Sequence, residues 1–259
     1  MNLKIFRFEK GKDEKPRYDI FPIRETSGIT VLGALFQIQD ELDGSLSFRY
    51  SCRGAVCGSC AMLINKRPRL ACRTQIKNIK KERVLDLQGY GALAKPIYLK
   101  EKDEILVEPL PNFPVIKDLI VDMTTFFEHY RSIKPYLYPS YSDMENLMSP
   151  KDERKIEIYT NCILCAICIG ACPVSSRNKD FLGPAILAKA WRFIADPRYT
   201  KKKEGELLEK VNSQQGVWGC DTVYKCTDVC PKQVPPTQAI TALRRKLFVH
   251  KLKKIIRRP

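Results

Sequence analysis

The chain has 259 residues, 44% of them hydrophobic, and a net charge of +16. That is long enough for one large domain or two ordinary ones, and too apolar for disorder to be the expectation. Eleven cysteines, an odd number in tight CxxC spacings, argue against a secreted disulfide framework and point to metal ligation in a reducing compartment. No stretch approaches the roughly 20 apolar residues of a spanning helix. The charged start Met1–Phe8 is too short for a secretory leader. The expectation is a soluble chain that meets a membrane only through a partner.

In chain order, residues 3–8 and 17–23 are β-prone runs around a turn at Lys10-Gly11-Lys12, a hairpin pattern. Thr30 is placed to cap a helix to about Leu42, with Val31, Leu35 and Ile38 at helical spacing. Ala61–Ile64 and Arg69–Ala71 flank Asn65-Lys-Arg-Pro68 as a second hairpin, and Val84–Leu87 and Ile105–Glu108 read as strands. The Pro-rich stretch 109–114 is taken as the domain boundary, giving domains 1–110 and 111–259. Beyond it, Asp118–Tyr130 is apolar at helical spacing. Ser149-Pro150-Lys-Asp152 reads as a helix start, Gly183–Ile194 as a helix stopped by Asp196-Pro197, and Pro236 as the opening of a last helix to about Ile256. Ile240, Leu243 and Leu247 give that helix an apolar face.

The helix ends in a basic run. From Thr237 to Pro259 there is no acid, while Arg244, Arg245, Lys246, Lys251, Lys253, Lys254, Arg257 and Arg258 are all cations. Nucleic acid, an anionic membrane or an acidic protein are the partner classes this admits, and a solvated helix end is the bland alternative.

The cysteines carry the chemistry. Cys52, Cys57, Cys60 and Cys72 read C-x4-C-x2-C-x11-C, the plant-type spacing for a [2Fe–2S] cluster. Gly54, Ala55, Gly58 and Ser59 let the loop turn tightly and offer N–H groups to the sulfurs, with Arg53 and Arg73 adding positive charge. A structural zinc site is the alternative. Cys162, Cys165, Cys168 and Cys172 form C-x2-C-x2-C-x3-C-P, a cubane signature in which the fourth cysteine serves the other cluster. Cys220, Cys226 and Cys230 are the second run, in frame with the first but with Val223 where Cys165 stands. The crossover gives Cys162, Cys165, Cys168 and Cys230 one [4Fe–4S] cluster. Cys172, Cys220 and Cys226 are left with three thiolates, which fits [3Fe–4S]; the alternative is that Asp221 or water completes four irons.

The other residues are bland beside these. Gly89-Tyr-Gly91 reads as a turn and His129 as a structural histidine. Trp191 reads as core. Trp218, more often core than otherwise, is also placed to shield a cluster. His129 and His250 are the only histidines and neither adjoins a cysteine group, which argues against Cys/His zinc and bis-His haem. No GxSxG, HExxH or P-loop occurs, so this chain moves electrons and carries no catalytic residue for a metabolite.

Taken together, Ser51–Cys60, Leu70–Thr74, Cys162–Pro173, Phe181–Ala185 with Arg192, Phe193 and Asp196, and Cys220–Pro231 resemble the iron–sulfur subunits of succinate dehydrogenase and fumarate reductase. The resemblance covers nearly the whole chain. It implies an α+β chain: an N-terminal β-grasp, plant-type [2Fe–2S] ferredoxin domain, then an all-α domain like bacterial ferredoxins with two clusters. It implies a flavoprotein partner with FAD and a cytochrome b-type membrane anchor that handles quinone, at the cytoplasmic side of the cell membrane. Electrons would pass from FAD through [2Fe–2S], [4Fe–4S] and [3Fe–4S] to quinone or haem.

Members with a ubiquinone site beside the last cluster carry a Trp and a His where Arg177 and Asp221 stand here, which tilts the expectation to menaquinone and haem b in the anchor. A thiol-dependent fumarate reductase is the redox alternative, to be decided by the neighbouring subunit's sequence. A nucleic-acid-binding iron–sulfur protein is the alternative of another class, revived by salt-sensitive DNA binding.

Overall fold

The computed structural model describes residues 1–80, 82, 85–88, 95–98, 104–137 and 145–256. Val84, the Gly89–Gly91 turn and Arg257–Arg258 lie outside the described residues. The chain divides into two compact units, Met1–Asp122 and Met123–Pro259.

The first unit holds β1 (Asn2–Arg7), β2 (Arg17–Pro22), α1 (Val31–Glu41), β3 (Ala61–Ile64), β4 (Arg67–Leu70), α2 (Ile76–Ile79), β5 (Leu85–Gln88), β6 (Lys95–Tyr98), β7 (Glu104–Glu108), β8 (Val115–Lys117) and β9 (Ile120–Val121). Five strands form one sheet in the order β2-β1-β7-β3-β4, and β5–β6 and β8–β9 pair separately. β1 and β7 run parallel; β1–β2, β3–β4 and β3–β7 are antiparallel. β7 is central and every residue of it is buried. Pro68 is tolerated because β4 is an edge strand, where a missing N–H costs least. The two-residue turn before it, Asn65-Lys66, has positive φ at both positions, as a tight hairpin requires. In α1, Thr30 Oγ1 accepts from the Gly33 N–H, and Val31, Leu32, Ala34, Leu35 and Ile38 are buried.

Two expectations need correction. The helical run read over Asp118–Tyr130 begins only at Thr124; Asp118-Leu119 turns the β8–β9 hairpin instead. The reason is polar. Asp118, buried and at φ 46°, accepts from Arg7 Nε at 3.1 Å, Phe8 N at 3.2 Å and Ser47 N at 3.0 Å. The same bonds, with Lys10 N to Ile116 O at 3.0 Å, tie the segment after the Pro-rich stretch to the end of β1. The first unit therefore runs to Asp122, past the boundary read at 110.

Arg7 is the hub of this corner. Its side chain is buried and pairs with Asp118, with Asp19 at 3.2 Å and with Asp43, while Ser45 Oγ accepts at 2.8 Å. Hydrogen bonds from Ser45 and Arg7 hold Asp43 down to about 2. Its contribution is complete above the ordinary carboxylate range and fades as pH falls from about 4 towards 2. Arg7→Met strands the buried Asp118 carboxylate and is expected to cost about 3–5 kcal/mol in urea unfolding. It should also flatten that acid-side loss.

The second unit contains α3 (Thr124–Ser132), α4 (Pro150–Thr160), α5 (Ile167–Gly170), α6 (Pro173–Arg177), α7 (Pro184–Ile194), α8 (Lys201–Val211), a 3₁₀ turn at Val217–Gly219, α9 (Lys225–Asp228) and α10 (Pro236–Ile256), with no strand among its described residues. Ser149 Oγ accepts from the Asp152 N–H at 3.2 Å, with Pro150 in the first turn, so α4 starts where a Ser-Pro cap predicts. α7 is buried along most of its length and packs against α4, α5, α8 and α10. Trp191 is half-buried against the core, and Trp218 is not core: it is 41% exposed, and its Nε1 donates to Asn212 Oδ1 at 2.8 Å.

Candidate metal centres

The x11 spacing of the first cysteine group is a hairpin. Cys60 immediately precedes β3 and Cys72 follows β4 by one residue, so the two strands return the chain to its start. Ala71 N donates to Cys60 O at 3.0 Å and Cys72 N to Cys60 Sγ at 3.5 Å. The other two cysteines ride a loop in which Arg53, Ala55 and Gly58 have positive φ. Such alternation turns successive N–H groups to one side and makes an anion-binding concavity. Cys52 Sγ accepts from Gly54 N at 3.4 Å, Val56 N at 3.3 Å and Cys57 N at 3.2 Å.

Burial pushes the Cys57 thiol up, but hydrogen bonds from the Ser59 hydroxyl and the Cys52 and Ser59 backbones outweigh it and bring it down to about 6. Burial pushes Cys60 up to about 12, with Cys72 and Cys57 as charged neighbours. All four cysteines are thus brought together. Arg53 is placed elsewhere than on the sulfurs: its guanidinium lies over Phe36 at 4.8 Å and Tyr50 at 5.5 Å, bracing the loop against α1.

In the second unit seven cysteines sort into two sets, and the sorting crosses the sequence runs. Cys162, Cys165, Cys168 and Cys230 line one cavity, closed by Ile163, Leu164, Ala166, Ala185, Ala188, Val234 and Pro236. Burial raises Cys165 to about 12, with Cys162 and Cys230 adding to it, and raises buried Cys168 well above the ordinary thiol range. Cys226, raised by burial, instead has Cys172 and Cys220 as its charged neighbours. Cys168 also feels Cys226, so the two sets adjoin.

The two runs share a backbone as well as a spacing. Leu164 and Ala166 have φ of 54° and 60°; Thr222 and Tyr224, in frame, have 59° and 64°. Each loop then enters a one-turn helix, α5 or α9. Val223 therefore occupies the same stretch of turn as Cys165, between two left-handed residues, but is half exposed. Gly219 anchors this second loop: a Cβ there would meet Gln214 O at 2.2 Å, so only glycine fits before Cys220.

Three residues that the spacing did not reveal also serve this site. Thr237, in the first turn of α10, places its hydroxyl 3.2 Å from Cys226 Sγ. Thr222 N donates to Cys220 Sγ at 3.4 Å. Arg244 reaches from α10 to Val217 O at 2.7 Å, Cys220 O at 2.6 Å and Thr222 Oγ1 at 3.2 Å, with Trp218 beneath its guanidinium. Thr237 and Arg244 act across 11 and more than 20 residues, Thr222 from only two positions away, and all are ordinary residue types that no local motif marks. Arg177 and Asp221, singled out as departures, prove to be partners: they form an exposed ion pair joining the segments after Cys172 and Cys220. No described helix is long and apolar enough to cross a membrane.

Residues 2–128 match the 2Fe-2S iron-sulfur cluster binding domain and residues 158–234 the 4Fe-4S dicluster domain. The chain is 35% identical over 243 residues to the fumarate reductase iron-sulfur subunit of Escherichia coli O6:H1, covering 93% of this chain and 90% of that protein. It is 36% identical over 253 residues to the succinate dehydrogenase iron-sulfur subunit of Coxiella burnetii, covering 96% and 97%. Its fold also matches a chain of the Mycobacterium smegmatis Sdh1 complex with a TM-score of 0.77 at 23% identity, covering 97% of this chain and 96% of that one. The chain belongs to the family of iron–sulfur subunits of succinate dehydrogenase and fumarate reductase.

Proposed function

We propose that this chain is the electron-transfer subunit of a membrane-bound succinate:quinone oxidoreductase. In this reading Cys52, Cys57, Cys60 and Cys72 hold [2Fe–2S], Cys162, Cys165, Cys168 and Cys230 hold [4Fe–4S], and Cys172, Cys220 and Cys226 hold [3Fe–4S]. The observation that carries it is the crossed sorting of the last seven cysteines into four around one cavity and three beside it. The donors fit: thiols whose burial disfavours the bare thiolate are deprotonated when iron binds, and backbone N–H groups already point at Cys52 and Cys220.

When bound, such clusters carry one electron at a time between a two-electron flavin and the membrane. The chain's own residues hold and tune them. The apolar wall from α7 and Val234 excludes water from the four-cysteine cavity. Thr237 and the positive end of the 21-residue α10 favour negative charge at Cys226. Succinate and fumarate would interconvert on a flavoprotein partner with FAD, and this chain would supply no residue to that step. The anchor would be a cytochrome b-type subunit, and this chain would lie at the cytoplasmic side of the membrane, in peripheral contact with it through the anchor and the basic C-terminal helix. The Arg177–Asp221 pair fills the places where the resemblance puts a quinone-side Trp and His. That supports an exit through haem b to menaquinone.

EPR of the purified complex tests the assignment. A [3Fe–4S] signal is expected in the oxidised state, lost on reduction as [2Fe–2S] and [4Fe–4S] signals appear. Two four-iron cubanes with no oxidised-state signal would overturn it.

A further inference from the structure

α10 changes face along its length. Up to Leu247 it is a core helix, with Ala239, Ile240, Leu243 and Leu247 buried. Past Leu247 the apolar residues turn outward: Phe248 is 65% exposed, Val249 47% and Leu252 43%. At 3.6 residues per turn these three lie roughly 100°, 200° and 140° round the helix from Leu247, away from the buried line. The polar side fixes that orientation. Lys246 pairs with Glu204 at 2.8 Å and His250 approaches Glu209 at 3.7 Å, both on α8. Phe248 lies two positions from each and so points away from α8. Lys251, exposed beside Leu252, adds a cation to the same stretch of the helix.

We infer that this outer face of α10, led by Phe248 and Leu252, docks directly on anionic phospholipid, as an interfacial helix does. The charge decides the occupant. An apolar arc flanked by cations, with no acid from Thr237 to Pro259, matches the headgroup and acyl boundary of a negatively charged leaflet. Phe and Leu enter the boundary while Lys and Arg stay at the headgroups. The inference rests on the reading of this chain as part of a membrane-bound complex, and adds a contact to lipid that is separate from the anchor.

The test is flotation of the cluster-loaded full chain with vesicles of phosphatidylglycerol and phosphatidylcholine in equal parts, against pure phosphatidylcholine. Binding is expected only to the anionic vesicles. Phe248→Ser with Leu252→Ser is expected to weaken it by about tenfold or more, because each exchange removes a large apolar side chain from the boundary. Both residues are exposed, so cluster absorbance should be unchanged and serves as the folding control. Equal binding to neutral vesicles, no binding, or anionic binding indifferent to the double exchange would each overturn the inference. Succinate oxidation by the assembled complex with a soluble dye reads the underlying assignment separately. Its absence sinks that assignment, whereas normal dye reduction with failed flotation sinks only the lipid contact.

Discussion

Val223→Cys is expected to abolish the oxidised-state [3Fe–4S] signal and replace it with a second four-iron cubane of lower potential. The argument is geometric. Cys165 presents its thiol from between two left-handed residues, Leu164 and Ala166, into a cavity shared with three other cysteines. Val223 stands between Thr222 and Tyr224, whose φ values match those of the first loop within about 5°. The exchange thus needs no new backbone. In the proposed assignment it would supply a fourth thiolate beside Cys172, Cys220 and Cys226. Val223 is half exposed, so removing its methyl groups costs little packing.

The functional cost falls on the last electron transfer. For a one-electron couple, each lowering of about 59 mV shifts occupancy tenfold. Quinone-linked turnover of the variant complex is therefore expected to fall by about tenfold or more, while succinate oxidation with a soluble dye at the flavoprotein is retained. A variant that keeps its [3Fe–4S] signal would show that the missing thiol does not set the iron count.

Much of this chain is legible from sequence because its information is local. The alternating strands, the Thr30 and Ser149 caps and the cysteine spacings all act over a few residues. The crossed grouping proposed for Cys230 and Cys172 rests on the in-frame repeat of the two runs. What was missed depends on partners far along the chain. Asp118 belongs to a turn and not to a helix because Arg7, more than a hundred residues earlier, claims its carboxylate. Trp218 is exposed because the 3₁₀ turn and Arg244 hold it at the surface. Arg53 looked like a charge for the sulfurs, yet two aromatic rings take it. α8 carries a weak apolar pattern among many charges, and its buried Leu207, Leu208 and Val211 gain meaning only against α7.

Cys230→Ala separates the crossed assignment from the uncrossed one. In the sequence Cys230 stands beside Cys220 and Cys226, and a reader of the run alone would give it to their cluster. In the fold it lines the cavity of Cys162, Cys165 and Cys168, and its thiol is raised by burial with Cys162 as its charged neighbour. Cys226, four residues earlier, looks the other way, to Cys172 and Cys220. Loss of the Cys230 thiol should therefore remove the [4Fe–4S] signal of the reduced complex and leave the oxidised [3Fe–4S] signal standing. Cys172→Ala should do the reverse. Because Cys230 also packs with Tyr159, Ala188 and Val234, cluster loss at this site opens the apolar centre of the second unit. The Cys230 variant is expected to lose more stability than the Cys172 variant, by about 1–3 kcal/mol. Loss of the oxidised-state signal from Cys230→Ala, with the reduced cubane intact, would mean that each run keeps its own fourth cysteine and that the crossing is wrong.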